Sequence, residues 1–130
     1  MAIIGAGVTL RGQTQPESRY TFVLDAAIVA ADIGKAVSIK AGSANTVKLS
    51  AVGDLIVGRL YSVEDRTVEG IKVGTVETRG GFLMTTTNAG VAVGDSVVGS
   101  ATAGVLVAGA DPRNRVVEVV STTSAVVLFL

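Results

Sequence analysis

The chain has 130 residues, a formal net charge of zero from 11 basic and 11 acidic residues, no cysteine and no histidine. These absences exclude a disulfide framework, a zinc–thiolate site, a cysteine nucleophile, and the commonest general base and transition-metal ligand; the balanced charge leaves no electrostatic footprint for nucleic acid or an anionic membrane. Hydrophobic residues make up 48% and charged residues 17%, yet even the apolar stretch Ala26–Ala31, unsurpassed in length in this chain, falls far short of the roughly 20 residues that span a bilayer.

The opening residues Met1-Ala2-Ile3-Ile4 lack the basic region of a signal peptide, so none is expected. Ile3-Ile4-Gly5-Ala6-Gly7-Val8-Thr9-Leu10 looks like the start of a dinucleotide-binding turn. Leu10 stands where the third glycine belongs, however, and Arg11–Pro16 cannot form the helix that would hold the phosphate. The stretch Arg11-Gly12-Gln13-Thr14-Gln15-Pro16-Glu17-Ser18-Arg19 is polar and unpatterned. It cannot bury enough apolar surface to offset its ordering entropy, so Arg11–Arg19 is expected to be mobile in the free protein, and residues 1–19 read as an arm or long loop.

From Tyr20 onward Val and Thr dominate, glycines recur every several residues, and no segment keeps a helical period for three turns. That pattern predicts short strands joined by tight turns. Tyr20–Asp25 is the first strand. Asp25–Ile33 is the best helix candidate, but it is short and Gly34 stops it. Ala36–Ala41 and Thr46–Ser50 follow, then a longer strand, Ile56–Val63. Gly70–Thr78 slips its apolar phase between Val73 and Val76, which predicts a β-bulge at Gly74. Gly80-Gly81 turns the chain into Phe82–Thr86. Asp95–Gly99 and Gly104–Ala108 form one hairpin. Arg115–Ser121 and Ala125–Leu130 form the last, with Val117, Val119, Val127 and Phe129 as its core residues and both strands apolar enough to be buried on both faces. An internal repeat pairs Ile33-Gly34-Lys35-Ala36-Val37 with Val93-Gly94-Asp95-Ser96-Val97, about sixty residues apart, and defines two related β-units at about 33–78 and 93–130.

Few residues carry chemistry in this pattern. Glu64 and Asp65 are adjacent, so on a strand they point to opposite faces and do not converge; with Arg66 they read as a solvated turn. Ser38 and Lys40 share a strand face, the geometry of a serine–lysine pair, but lack an oxyanion context. The isolated carboxylates Asp32, Asp54, Asp95 and Asp111 sit in turn-like settings and lack calcium-loop spacing. Of five aromatic residues, Tyr20, Phe22, Tyr61, Phe82 and Phe129, most alternate with polar neighbours and read as core rather than as a base-stacking platform. No catalytic residue, cofactor or metal site is expected. A surface this poor in charge points to partners that cover part of it.

Three phrases, Ala51-Val52-Gly53-Asp54-Leu55-Ile56-Val57-Gly58, Val91-Ala92-Val93-Gly94-Asp95-Ser96-Val97-Val98-Gly99 and Thr102-Ala103-Gly104-Val105-Leu106, together with the Val-rich end Arg115–Leu130, resemble the small capsid decoration, or cement, proteins of tailed bacteriophages. The resemblance covers most of the chain from Asp32 and is loose and compositional, and the longer lead Met1–Arg19 departs from versions that open directly with a strand. It implies a virion protein that binds the outside of the head as a homotrimer, with the major capsid protein as its partner. The fold expected is all-β: a compact small barrel or two-sheet sandwich of short antiparallel strands over residues 20–130, behind an extended arm. Within the arm, Arg11 and Arg19 suit bidentate contacts to carboxylates and Gln13 and Gln15 suit backbone at a sheet edge, which makes these four the capsid-contact candidates. The alternative is a carbohydrate- or receptor-binding module of a tail or fibre, disfavoured by the scarcity of aromatic residues.

Overall fold

The computed structural model describes residues 18–66, 68, 70–87 and 90–130. It is all-β. Among these residues eleven strands run in chain order: β1 Arg19–Leu24, β2 Ala36–Ile39, β3 Thr46–Leu49, β4 Gly58–Leu60, β5 Glu64–Arg66, β6 Ile71–Glu77, β7 Gly80–Thr85, β8 Val97–Gly99, β9 Leu106–Ala108, β10 Asn114–Ser121 and β11 Ser124–Phe129. The helix candidate reduces to one 3-10 turn, Ala30–Asp32. Its alanines favour helix, but three residues before Gly34, at φ +97°, leave no room for a second turn.

The strands form two rings of the same order. In the first, β1-β3-β2-β4-β6 closes through a β1–β6 pairing. In the second, β10-β11-β7 is one ladder and β8–β9 another. The parallel bridge Thr86↔Leu106 joins the end of β7 to β9, as β1 pairs in parallel with β3 at Leu24↔Val47. The other joint also repeats. Gly34 N–H donates to Leu60 O at 2.8 Å and Leu60 N–H to Lys35 O at 2.9 Å; Gly94 N–H donates to Val116 O at 2.8 Å and Val116 N–H to Asp95 O at 2.7 Å. The repeat seen around Gly34 and Gly94 thus marks equivalent strand junctions. Each ring also takes in the strand preceding the repeated phrase, β1 or β7. Most pairings are antiparallel, and the β1–β3 pair and the Thr86↔Leu106 bridge are the parallel exceptions.

Each ring encloses an apolar core. Leu24, Ile28, Val37, Val47, Leu60 and Val76 fill the first. Phe82, Met84, Val97, Leu106, Val116, Ala125, Val127 and Phe129 fill the second, joined by Ala36 and Ile56 from the first half of the chain. The Phe82 and Phe129 rings lie 5.7 Å apart. Because Ala36 and Ile56 come from the first half of the chain, the second ring does not complete its packing alone.

Backbone bonds reinforce this joint. Ala36 N–H donates to Gly104 O and Gly104 N–H to Ser50 O; Gly53 N–H donates to Gly99 O and Gly99 N–H to Asp54 O. The last pair needs a glycine, because a Cβ on Gly99 would lie 2.0 Å from the Ala51 carbonyl oxygen.

Several sequence expectations are corrected. Glu64-Asp65-Arg66 is not a turn but β5, paired with Lys72 and its neighbours on β6. The β1–β6 register runs unbroken through Phe22↔Gly74, so Gly74 is not the bulge. The irregularity lies opposite it, where Tyr61 N–H and Ser62 N–H both donate to Thr75 O. Gly74 is required because a Cβ there would meet Ser62 O at 2.2 Å. On β10 a register shift after Val116 turns Val116 inward. It leaves Val117 half-buried and Val119 exposed, so neither is core; Val127 and Phe129 are. The apolar run of β11 is buried as expected, whereas that of β10 is not. Tyr20 and Tyr61 are exposed rather than core.

Candidate interaction surface

Arg11, Gln13 and Gln15 lie outside the described residues, as does the arm through residue 17. Ser18 and Arg19 belong to the barrel instead. Ser18 is buried; its carbonyl accepts from Thr78 N–H and from the Thr78 hydroxyl, at 3.1 and 2.7 Å. Arg19 opens β1 opposite Glu77. Its Nε donates to Glu77 Oε2 at 3.2 Å, while Arg59 Nη1 donates to Glu77 Oε1 at 2.9 Å. The Arg19 guanidinium stacks 4.4 Å above the Tyr61 ring, and that of Arg59 lies 5.9 Å from the Phe82 ring centre. Glu77, only 2% exposed, is therefore neutralised from two flanking strands. A buried carboxylate needs such partners. Arg19 serves this clasp, with 34% of its side chain exposed.

The phrase Ala-Val-Gly-Asp occurs twice, and both copies fold alike. Asp54 N–H donates to Ala51 O and Asp95 N–H to Ala92 O, each at 3.0 Å. Gly53 and Gly94 hold φ of +77° and +96°, the left-handed conformation that the third residue of a type II turn needs. Each aspartate then accepts from the alanine amide through Oδ2, at 2.9 Å in both. The result is a rigid turn that presents a valine at its tip: Val52 is 73% exposed and Val93 65%. Lys48 hydrogen-bonds Asp54 and, against some desolvation, holds its carboxyl below the usual aspartate range. Lys40 does the same for Asp25. At Asp32 burial pushes upward most strongly of any single effect, but the Val29 amide and Lys35 together outweigh it and the net shift is downward.

Where the two rings meet lies a groove of about 370 Å³, lined by β2 residues Ser38 and Ile39, by Asp54 and Leu55 before β4, and by Asp111 and Arg113 before β10. Its rim is apolar, with Ile39 and Leu55 more than half exposed. Arg113 spans the joint, donating to Ile56 O and Thr78 O. Asp111 Oδ1 accepts from Arg113 N–H at 2.8 Å. Asp111 Oδ2 and Ser38 Oγ are buried without a hydrogen-bond partner among the described residues. The serine–lysine pair is not assembled, since Lys40 Nζ bonds Asp25 rather than Ser38.

Among the described residues, no group of three or more acidic side chains is placed to hold a metal ion, and no helix is long and apolar enough to cross a membrane. Apolar side chains stand out on this surface: Tyr20, Ile39, Val52, Leu55, Val93 and Leu130 are each more than half exposed. Both Ala-Val-Gly-Asp phrases stand out in the sequence, but their valines emerge as exposed tips only in the structure. The signal was present, since residues at the tip of a tight turn face solvent. The groove had no sequence signal, because three distant segments build it. Comparisons with family models, with curated proteins and with solved structures return no match.

Proposed function

We propose that the chain is a structural virion protein that binds the outside of a phage capsid lattice as a homotrimer and bridges neighbouring subunits of the major capsid protein. The observation that carries this reading is a double ring that, among the described residues, leaves fourteen large apolar side chains exposed. Exposed apolar surface on a soluble body is a liability unless partners cover it. A cement has to resist shear rather than turn over a substrate, and a rigid body loses little entropy on docking. The two valine-tipped turns suit such docking because their geometry is fixed before contact. The resemblance of the Ala-Val-Gly-Asp phrases to phage decoration proteins agrees with this reading. Three-fold assembly would multiply weak contacts through effective concentration.

The test uses heads of the encoding phage assembled without this protein. Added purified chain should co-sediment with them to a fixed stoichiometry and raise the temperature at which they release DNA. Chain that stays in the supernatant, or that binds a glycan array instead, would favour the tail or fibre reading.

A further inference from the structure

We infer that the arginine-rich end of the inter-ring groove is a docking face for an acidic segment of a partner protein, one that also carries aliphatic side chains. The identity of that partner, a capsid subunit, rests on the reading above; its chemistry rests on the distribution of charge.

The chain is neutral as a whole, but its ion pairs are unevenly shared. Lys35, Lys40 and Lys48 each meet an aspartate, Arg66 meets Glu64, and Arg19 and Arg59 share Glu77. Among the described residues, Lys72, Arg79, Arg113 and Arg115 have no carboxylate partner. The three arginines of this set gather in one place. The Arg113 guanidinium donates at 3.2 Å to Thr78 O, the carbonyl bonded to the Arg79 nitrogen. Arg115 Nη1 donates to Asp111 O at 3.0 Å and to Asn114 O at 2.7 Å, residues that bracket Arg113. All three arginines are exposed.

The carboxylates that line the groove do not neutralise them. Asp54 pairs with Lys48. Asp111 is buried, and its Oδ1 accepts from the Arg113 backbone amide rather than from a guanidinium. The bonds to carbonyls occupy only part of the five N–H donors on each of Arg113 and Arg115, so forks remain for bidentate contact with a carboxylate. Guanidiniums already held in place lose little freedom when they bind.

Positive charge alone would also suit nucleic acid. The groove favours a protein segment instead. Arg113 shares it with Ile39 and Leu55, both more than half exposed, which can bury aliphatic side chains beside the acid. Its described lining holds no aromatic ring on which a base could stack.

The test has two arms. In the first, Arg79→Glu is added to heads assembled without this protein and compared with wild type by co-sedimentation. The Arg79 side chain makes no hydrogen bond or ion pair among the described residues, so the variant should keep the wild-type urea midpoint. It should bind at least about tenfold more weakly, because a like charge then faces the acidic segment. Arg66→Gln, on β5, removes a positive charge elsewhere and should bind as wild type does. In the second arm, fluorescence anisotropy follows a short labelled peptide in which leucines are flanked by glutamates. Wild type should bind it, and either Arg79→Glu or a glutamine version of the peptide should abolish binding. Heads that bind wild type and Arg79→Glu equally, or that lose Arg66→Gln just as strongly, would overturn the inference and leave the capsid reading standing. Peptide binding that depends on Arg79, with no attachment to heads, would uphold the docking face and overturn the capsid reading. Preference for labelled oligothymidylate over the acidic peptide would overturn the inference by assigning the arginines to nucleic acid, and failure to bind either would remove the face altogether.

Discussion

Gly99→Ala tests whether the two rings are one mechanical unit. The added Cβ would sit 2.0 Å from the Ala51 carbonyl oxygen and 3.0 Å from its carbon, so the backbones must part. That separation breaks Gly53 N–H to Gly99 O and Gly99 N–H to Asp54 O, both 2.9 Å. Two backbone hydrogen bonds contribute about 1 kcal/mol each, and overpacking adds roughly 1–3 kcal/mol, for a loss of about 3–5 kcal/mol. Gly42→Ala is the control. Nothing lies within 4 Å of its Cβ, and only its φ of +82° is unfavourable, which costs about 1–2 kcal/mol. Both substitutions change the unfolded chain alike, so their difference isolates the contact. Urea unfolding followed by far-ultraviolet circular dichroism reads it. With a slope of about 1.5 kcal/mol/M, Gly99→Ala should lower the midpoint by about 2–3 M and Gly42→Ala by about 1 M. Equal midpoints for the two variants would show that the close approach at Gly99 does not join the rings.

Two further outcomes follow from the cores and the carboxylates. Phe129→Ala should cost about 3–5 kcal/mol in urea unfolding, because its ring is fully buried against Phe82, whereas Val119→Ala, on an exposed position, should stay within about 0.5 kcal/mol. Asp25, Asp32 and Asp54 titrate below the usual aspartate value of 3.8 when folded. Their contribution is complete above that value and is lost as pH falls through their lower folded values. The urea midpoint should therefore drop below about pH 4, and less steeply in Asp54→Asn; an identical acid profile in that variant would contradict the role given to Lys48.

Much of the fold was legible in the residues, and the misses have physical causes. Period-two apolar alternation and glycine punctuation placed the strands. The repeated glycines at Gly34 and Gly94 marked equivalent junctions because both need a positive φ. What alternation could not reveal was register. The shift after Val116 sits inside a run of valines, where every residue is apolar and no polar neighbour marks the outward face. β5 was hidden because Glu64, Asp65 and Arg66 are all solvent-facing, and an edge strand with no buried face reads like a turn. Arg19 was assigned to the arm on polarity alone, but its partner Glu77 lies 58 residues away. Pairing across such a separation leaves no local trace, and neither does a groove built from three segments.

Cryo-electron microscopy of the intact particle that carries this chain tests the proposed attachment to the outside of a capsid. The prediction is density for the double ring on the outer surface of the head, at three-fold-related positions, with the valine-tipped turns at Val52 and Val93 against neighbouring capsid subunits. Heads without that density, or the double ring on the tail or at a fibre tip, would contradict it.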